Sequence, residues 1–253
     1  MNTLLVVETF VAFVLAITLH EAAHAFMANL LGDKTPRTAG RLSLVPIRQM
    51  AAIGTIVAIV FSFAAVPAGL GWGRTVDVDA RRMRVGPNMG LILVAIAGPL
   101  VNLLLSLLIV FGLRLLPGYA DLSAAGAHCA FFSTGQQVQQ CLSSAQPGYL
   151  LRIDQFAFTF ALTNLVLAIV NIIPLHPLDG YRVLFALLPS QQAVSFRRFE
   201  PYMELILLVI FFVVPYLFAF LTISFSPGDI LINWALQILG GIAPNIRFFY
   251  LAL

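Results

Sequence analysis

The chain has 253 residues, 60% of them hydrophobic and only 10% charged, with a formal net charge of +3 and a mean hydropathy of +0.95. A soluble domain carries roughly 25% charged residues, so composition excludes an ordinary water-soluble protein. The small charge calls for no nucleic-acid partner. Apolar runs of about 20 residues are long enough to cross a bilayer, and several occur here.

The first such run is Leu4–Leu31. It has no positively charged leading region, is too long for a signal peptide and carries ionisable residues in its middle, so it reads as a retained span. Near its end stands His20-Glu21-Ala22-Ala23-His24. Histidines four residues apart lie one above the other on a helix face. Both can then reach one Zn²⁺, and the intervening glutamate can serve as general base on a zinc-bound water. Structural polar packing between helices would not need this spacing, and ionisable residues at bilayer depth are usually functional.

Lys34, Arg37, Arg41 and Arg48 follow the first run. By the enrichment of cytoplasmic loops in Lys and Arg, this end faces the cytoplasm and the N-terminus lies outside. The apolar stretch from Gly54 to Leu70 is flanked on its far side by Arg74, Arg81, Arg82 and Arg84. Basic residues at both ends predict a membrane-embedded or re-entrant element instead of a crossing. Gly90–Leu116 then runs outward, and Pro117 to Leu150 forms an external loop holding both cysteines, Cys129 and Cys141. An oxidising exterior permits a disulfide there, but the spacing equally suits two free thiols.

Ile153–Ile173 returns inward. It leads into Asn171-Ile172-Ile173-Pro174-Leu175-His176-Pro177-Leu178-Asp179-Gly180. A catalytic zinc site has three protein ligands and an open position. The third ligand should be a His, Asp or Glu at the depth of His20 and His24, and Asp179 is the candidate. The two prolines break the helix, and Gly180 allows close backbone approach. Pro177 to Leu188 reads as a short helix near the cytoplasmic face, where Arg182, Arg197 and Arg198 fit the topology. Met203–Phe225 and the weaker Ile230–Ile242 go out and back.

These residues resemble the site-2 protease family of intramembrane zinc metalloproteases, which carries His-Glu-x-x-His on one transmembrane helix and Asn-x-x-Pro…Asp-Gly on another. Gly98-Pro99-Leu100-Val101-Asn102 matches its Gly-Pro-x-x-Asn. Gly40-Arg41-Leu42-Ser43-Leu44-Val45-Pro46 and Gly71-Trp72-Gly73-Arg74-Thr75-Val76-Asp77-Val78 look like motifs of its compact bacterial members. The likeness covers about residues 10 to 190. It departs at Gln49-Met50-Ala51-Ala52, where His-x-Asp-Pro is usual, and at Arg74-Thr75, where Lys-Pro is usual.

The resemblance implies Zn²⁺ held by His20, His24 and Asp179. Glu21 would activate water and then protonate the leaving amine, and Asn102 and Asn171 would bind the substrate strand or steady the site. The segment from about Arg41 to Val85 would receive an unwound substrate by strand addition. Expected partners are the lipid bilayer and single-pass transmembrane proteins or remnant signal peptides. The expected setting is a prokaryotic inner membrane, with the active site toward the cytoplasm.

The expected fold is an all-α polytopic bundle of about six transmembrane or re-entrant segments with a small membrane-embedded β or re-entrant element. Residues 1–253 read as one domain, with a catalytic core over about 1–190, further spans over about 201–253, and no room for an appended PDZ or CBS domain. The alternative is a metal-binding membrane protein without peptidase activity, a transporter or a binder of transmembrane helices. Transporters often show inverted repeats, and the sequence has no visible repeat.

Overall fold

In the computed structural model the described residues are 3–63, 71–114 and 153–214, with the isolated positions 217, 230–231, 234–235 and 237–238. The predicted external loop with Cys129 and Cys141, and parts of the last two predicted spans, lie outside them.

Three long helices make the frame: α1 (Thr3–Leu31), α5 (Pro87–Arg114) and α6 (Ile153–Val170). Each packs on the other two. The first has no proline or glycine until Gly32, whose φ of +113° stops it. Gly32 N–H bonds to the Asn29 carbonyl and Asp33 N–H to the Ala28 carbonyl, the paired closure of a helix ended by a left-handed residue. α5 starts on Pro87, whose missing N–H costs nothing at a first helical position.

The α5–α6 seam is filled by Val110, Leu113, Phe158, Leu162, Leu165 and Val166. Phe13, Ala16 and Ile17 of α1 pack on Leu167 of α6 and on Ala58 of α4 (Ala52–Phe63). The outward faces are apolar too: Val7, Val11 and Leu15 on α1, and Leu100, Leu104, Leu108 and Phe111 on α5, are exposed. Apolar stripes of this size on an otherwise packed protein mark a membrane or partner surface. Among the described residues, two helices are long and apolar enough to cross a membrane, Val6–Leu31 and Pro87–Leu113, with Phe156–Val170 a shorter apolar helix.

Short pieces fill the rest. α2 (Thr35–Thr38) and α3 (Pro46–Gln49) follow α1. After α6 come α7 (Asp179–Leu187), α8 (Ser190–Arg197) and α9 (Glu200–Leu208). α7 is the short helix expected from Pro177 onward. The segment expected to be re-entrant or strand-like is helical over Ala52–Phe63. Among the described residues there is no sheet, only one antiparallel bridge between Met50 and Gly73. Beside it, Arg74 N–H donates to the Gln49 carbonyl at 2.7 Å.

Candidate active site

His20, Glu21 and His24 come from the C-terminal half of α1, and Asp179 from the first residue of α7. α6 ends at Val170, and a run of turns reverses the chain. Gly180 N–H closes the reversal by donating to the Asn171 carbonyl at 2.7 Å. A Cβ at position 180 would stand 2.2 Å from the Ile172 carbonyl oxygen, so the reversal needs glycine there. It carries Asp179 to the histidines. His20 Nε2 lies 3.0 Å and His24 Nε2 3.2 Å from Asp179 Oδ2, and the two Nε2 atoms are 3.0 Å apart. All three side chains are buried, at 2%, 1% and 7% exposure.

The donor chemistry explains the convergence. His24 Nδ1 lies 2.7 Å from the Val94 carbonyl of α5. A carbonyl can only accept, so Nδ1 carries the hydrogen and Nε2 turns its lone pair toward Asp179 and His20. Asp179 Oδ2 is buried with no hydrogen-bond partner of good geometry. With the His20 Nε2 lone pair turned inward as well, as a metal ligand's is, atoms packed at 3.0–3.2 Å would repel unless a cation sat among them. Ligand atoms on a tetrahedral Zn²⁺ with bonds of 2.0–2.2 Å stand about 3.3–3.6 Å apart, a few tenths of an ångström beyond these separations. The group fits a zinc ion, and the ligand atoms of His20, His24 and Asp179 could hold one.

Two glycines make space for the cluster. A Cβ at Gly98 of α5 would meet His24 Nε2 at 2.4 Å and His20 Cε1 at 2.7 Å, and a Cβ at Gly73 would meet Glu21 Oε1 at 2.2 Å. Glu21 therefore lies flat against the backbone next to the Met50–Gly73 bridge. Its Oε2 is buried without a hydrogen-bond partner. It faces a cavity of about 10 Å³ shared with His20, His24, Trp72, Thr75, Asp179 and Arg182, room for about one water.

The two predicted asparagines differ in placement. Asn171 lines that cavity, and its Nδ2 donates to the Leu167 carbonyl at 2.9 Å. Asn102 sits one turn past Gly98, fully buried, with both amide atoms unpartnered, and lines neither described cavity. A second, apolar cavity of about 510 Å³ opens between α5 and α7 and shares Asn171 and Asp179 with the first.

The sequence alone reads Arg182 as a topology charge and Gly73 as part of a motif, and it carries no sign of the Val94 carbonyl. Position 182 lies one helical turn after Asp179, the signal that would have placed it at the site. Burial and the neighbouring Glu200 push the Tyr181 hydroxyl up to about 12, so it stays a donor to Glu200, at 3.2 Å.

Comparison with known proteins now bears on the arrangement. The model of peptidase family M50 matches residues 8–214. The chain belongs to peptidase family M50. A Bacillus subtilis (strain 168) protein named "Putative zinc metalloprotease YwhC" is 35% identical over 202 residues, 79% of this chain and 78% of the relative. No solved structure matches. The M50 match spans all four residues of the cluster, and the protein is a site-2 type zinc metalloprotease, as the motifs implied. M50 peptidases are membrane proteases that act on membrane-protein substrates, consistent with the two apolar helices. A transporter or silent helix binder is not favoured.

Proposed function

We propose that this M50 peptidase is an intramembrane endopeptidase that cuts peptide bonds within or near transmembrane segments. His20, His24 and Asp179 hold zinc, and Glu21 acts as general base and then general acid. The observation that carries the reading is the convergence of three ligand atoms within 3.2 Å beside Glu21, on a helix whose outer face is apolar.

When bound, zinc polarises the scissile carbonyl and lowers the pKa of water. Glu21 faces the water-sized cavity, takes the proton from the attacking water and passes it to the leaving amine. Asn171, on the cavity wall, is positioned to bind substrate, and Asn102, behind the histidines, steadies the site. The Gln49–Met50 and Gly73–Arg74 backbones offer an edge on which an unwound segment can add. The apolar cavity beside Asp179 suits an apolar substrate. Candidate substrates are single-pass proteins and remnant signal peptides.

The basic residues support an orientation with the site toward the cytoplasm and the N-terminus outside. Asp33 Oδ2 accepts the Asp79 N–H at 2.7 Å, and Arg84 N–H donates to the Leu31 carbonyl at 2.9 Å. The segments holding Lys34, Arg37, Arg81, Arg82 and Arg84 thus meet at one end of the frame, as expected of a cytoplasmic face. A multi-pass bundle of about six segments in a prokaryotic inner membrane completes the reading, one domain with a catalytic core over about 1–190.

The test is cleavage of a model single-pass substrate in liposomes by wild type, by Glu21→Gln and by wild type treated with a zinc chelator. Loss in both treatments is expected. Unchanged cleavage by Glu21→Gln would overturn the assignment.

A further inference from the structure

Arg182 lies one turn beyond Asp179 on α7, and its side chain lines the same small cavity as Glu21, His20 and Asp179. No other Arg or Lys lines that cavity. Its Nη2 donates to the Val76 carbonyl at 3.0 Å, which uses one of the five N–H donors of a guanidinium. Among the described residues no carboxylate pairs with it, although Glu21 and Asp179 line the same cavity. A guanidinium is seldom withdrawn from water without an anionic partner. Here a fixed, partly buried cation shares its cavity with the Glu21 and Asp179 carboxylates but forms no ion pair with either, which leaves N–H donors for charge that develops during reaction.

We propose that Arg182 is a further catalytic residue of this peptidase, donating an N–H to the oxyanion that forms on the scissile carbonyl oxygen. The inference rests on the peptidase reading above. In the step, the water oxygen bonds to the carbonyl carbon as Glu21 takes one water proton. The carbonyl π pair moves onto the oxygen, and Arg182 donates a hydrogen bond to that new charge. The C=O bond then re-forms, the C–N bond breaks, and the proton on Glu21 goes to the amine. No oxidant or further reactant is needed. A positioned donor is most effective when it meets charge present only in the transition state, and the Val76 bond holds this one in place.

The competing role is a strut, since the Val76 bond also ties α7 to the loop beside Glu21. Zinc-loaded full-length protein separates the two. For Arg182→Gln we expect one zinc per chain, KM within about threefold and kcat lower by roughly 10²–10³-fold. The affinity of a phosphinic peptide, whose tetrahedral oxygens mimic the oxyanion, should fall in parallel. Guanidinium ion in the buffer should restore part of kcat.

A raised KM and lower melting temperature, with kcat and the phosphinic affinity unchanged, would make Arg182 a strut and overturn the proposal. So would loss of zinc. Should Arg182→Gln fail to fold, Arg182→Lys keeps the charge without the fork. A kcat reduced about tenfold at unchanged KM and zinc content supports the proposal, and an unchanged kcat overturns it. Glu21→Gln separates the two levels of failure. If it cleaves normally, the peptidase reading falls and Arg182 with it. If it is dead while Arg182→Gln turns over normally, only the Arg182 assignment falls.

Discussion

Gly98→Ala tests whether α5 shapes the metal cluster. The new methyl would stand 2.4 Å from His24 Nε2, 2.6 Å from His24 Cε1 and 2.7 Å from His20 Cε1. Relaxed contacts between such atoms are about 3.5–4.0 Å, so both rings, or α5 itself, must retreat by about 1 Å. Neither retreat is easy. α5 is packed against α1, α6 and α7, and His24 is bonded to Val94 on α5. Moving the helix therefore drags the ring with it. Ligand distances are tolerated within about 0.2 Å. Disturbing the groups that orient a ligand costs about 10–100-fold in metal affinity, and a misplacement of about 1 Å costs on the order of 10² in rate.

Competition against a chelator and turnover of a single-pass substrate read the two losses separately. Gly112→Ala is the control on the same helix, because a Cβ there meets nothing within 4 Å. It should leave zinc and activity intact and add about 0.5–1 kcal/mol of stability through helix propensity. Gly98→Ala protein with wild-type zinc affinity and turnover would refute the placement of α5 against the two histidines.

Gly73→Ala should act first on Glu21, whose Oε1 would meet the new Cβ at 2.2 Å. We expect kcat to fall on the order of 10²-fold while zinc content, measured by atomic absorption, stays at wild type. Asp33→Ala should lower stability by about 2–3 kcal/mol in detergent unfolding. It removes Oδ1 from Thr35 N–H at 2.9 Å and Oδ2 from Asp79 N–H at 2.7 Å, all at a fully buried position. Zinc removal should lower the melting temperature, since a ligand bound only to the folded state stabilises it; an identical melt with and without chelator would argue against a preformed His20–His24–Asp179 site.

The cluster that the structure brings together is legible where helical spacing or a chain break encodes it. His20, Glu21 and His24 follow from a four-residue interval on an apolar run. Asp179 follows from a proline-broken helix end closed by a glycine. What was not legible depends on contacts distant in sequence. The carbonyl that fixes the His24 tautomer belongs to Val94, and a backbone oxygen leaves no mark on residue identity. Gly73 lies 52 residues from Glu21, so only the fold reveals that it must lack a side chain. Arg182 read as a topology charge because a basic residue past a span looks the same whether it meets headgroups or a cavity. The stretch from Gly54 to Leu70, helical as far as it is described, to Phe63, reads as re-entrant from the basic residues at both its ends, because a short, wholly apolar run has no periodicity to separate helix from other embedded backbone.

The lipid environment and the polar site make opposed demands on α1, and the helix meets them by face. Val7, Val11 and Leu15 point outward and exposed, while Ala12, Phe13, Ala16, Ile17, His20 and His24 are buried. Small residues at 12 and 16 let neighbouring helices approach closely, as small residues do wherever lipid supplies no hydrophobic drive between helices. Close approach is what the cluster needs, because His24 takes its orienting bond from α5 backbone and both rings sit against Gly98. The same closeness leaves a cavity of about 10 Å³, enough for about one water and too little for bulk solvent. A carboxylate, two imidazoles and a glutamate kept at that depth from solvent interact more strongly than they would in water. Packing that hides the polar groups from lipid is thus also what strengthens the interactions among them.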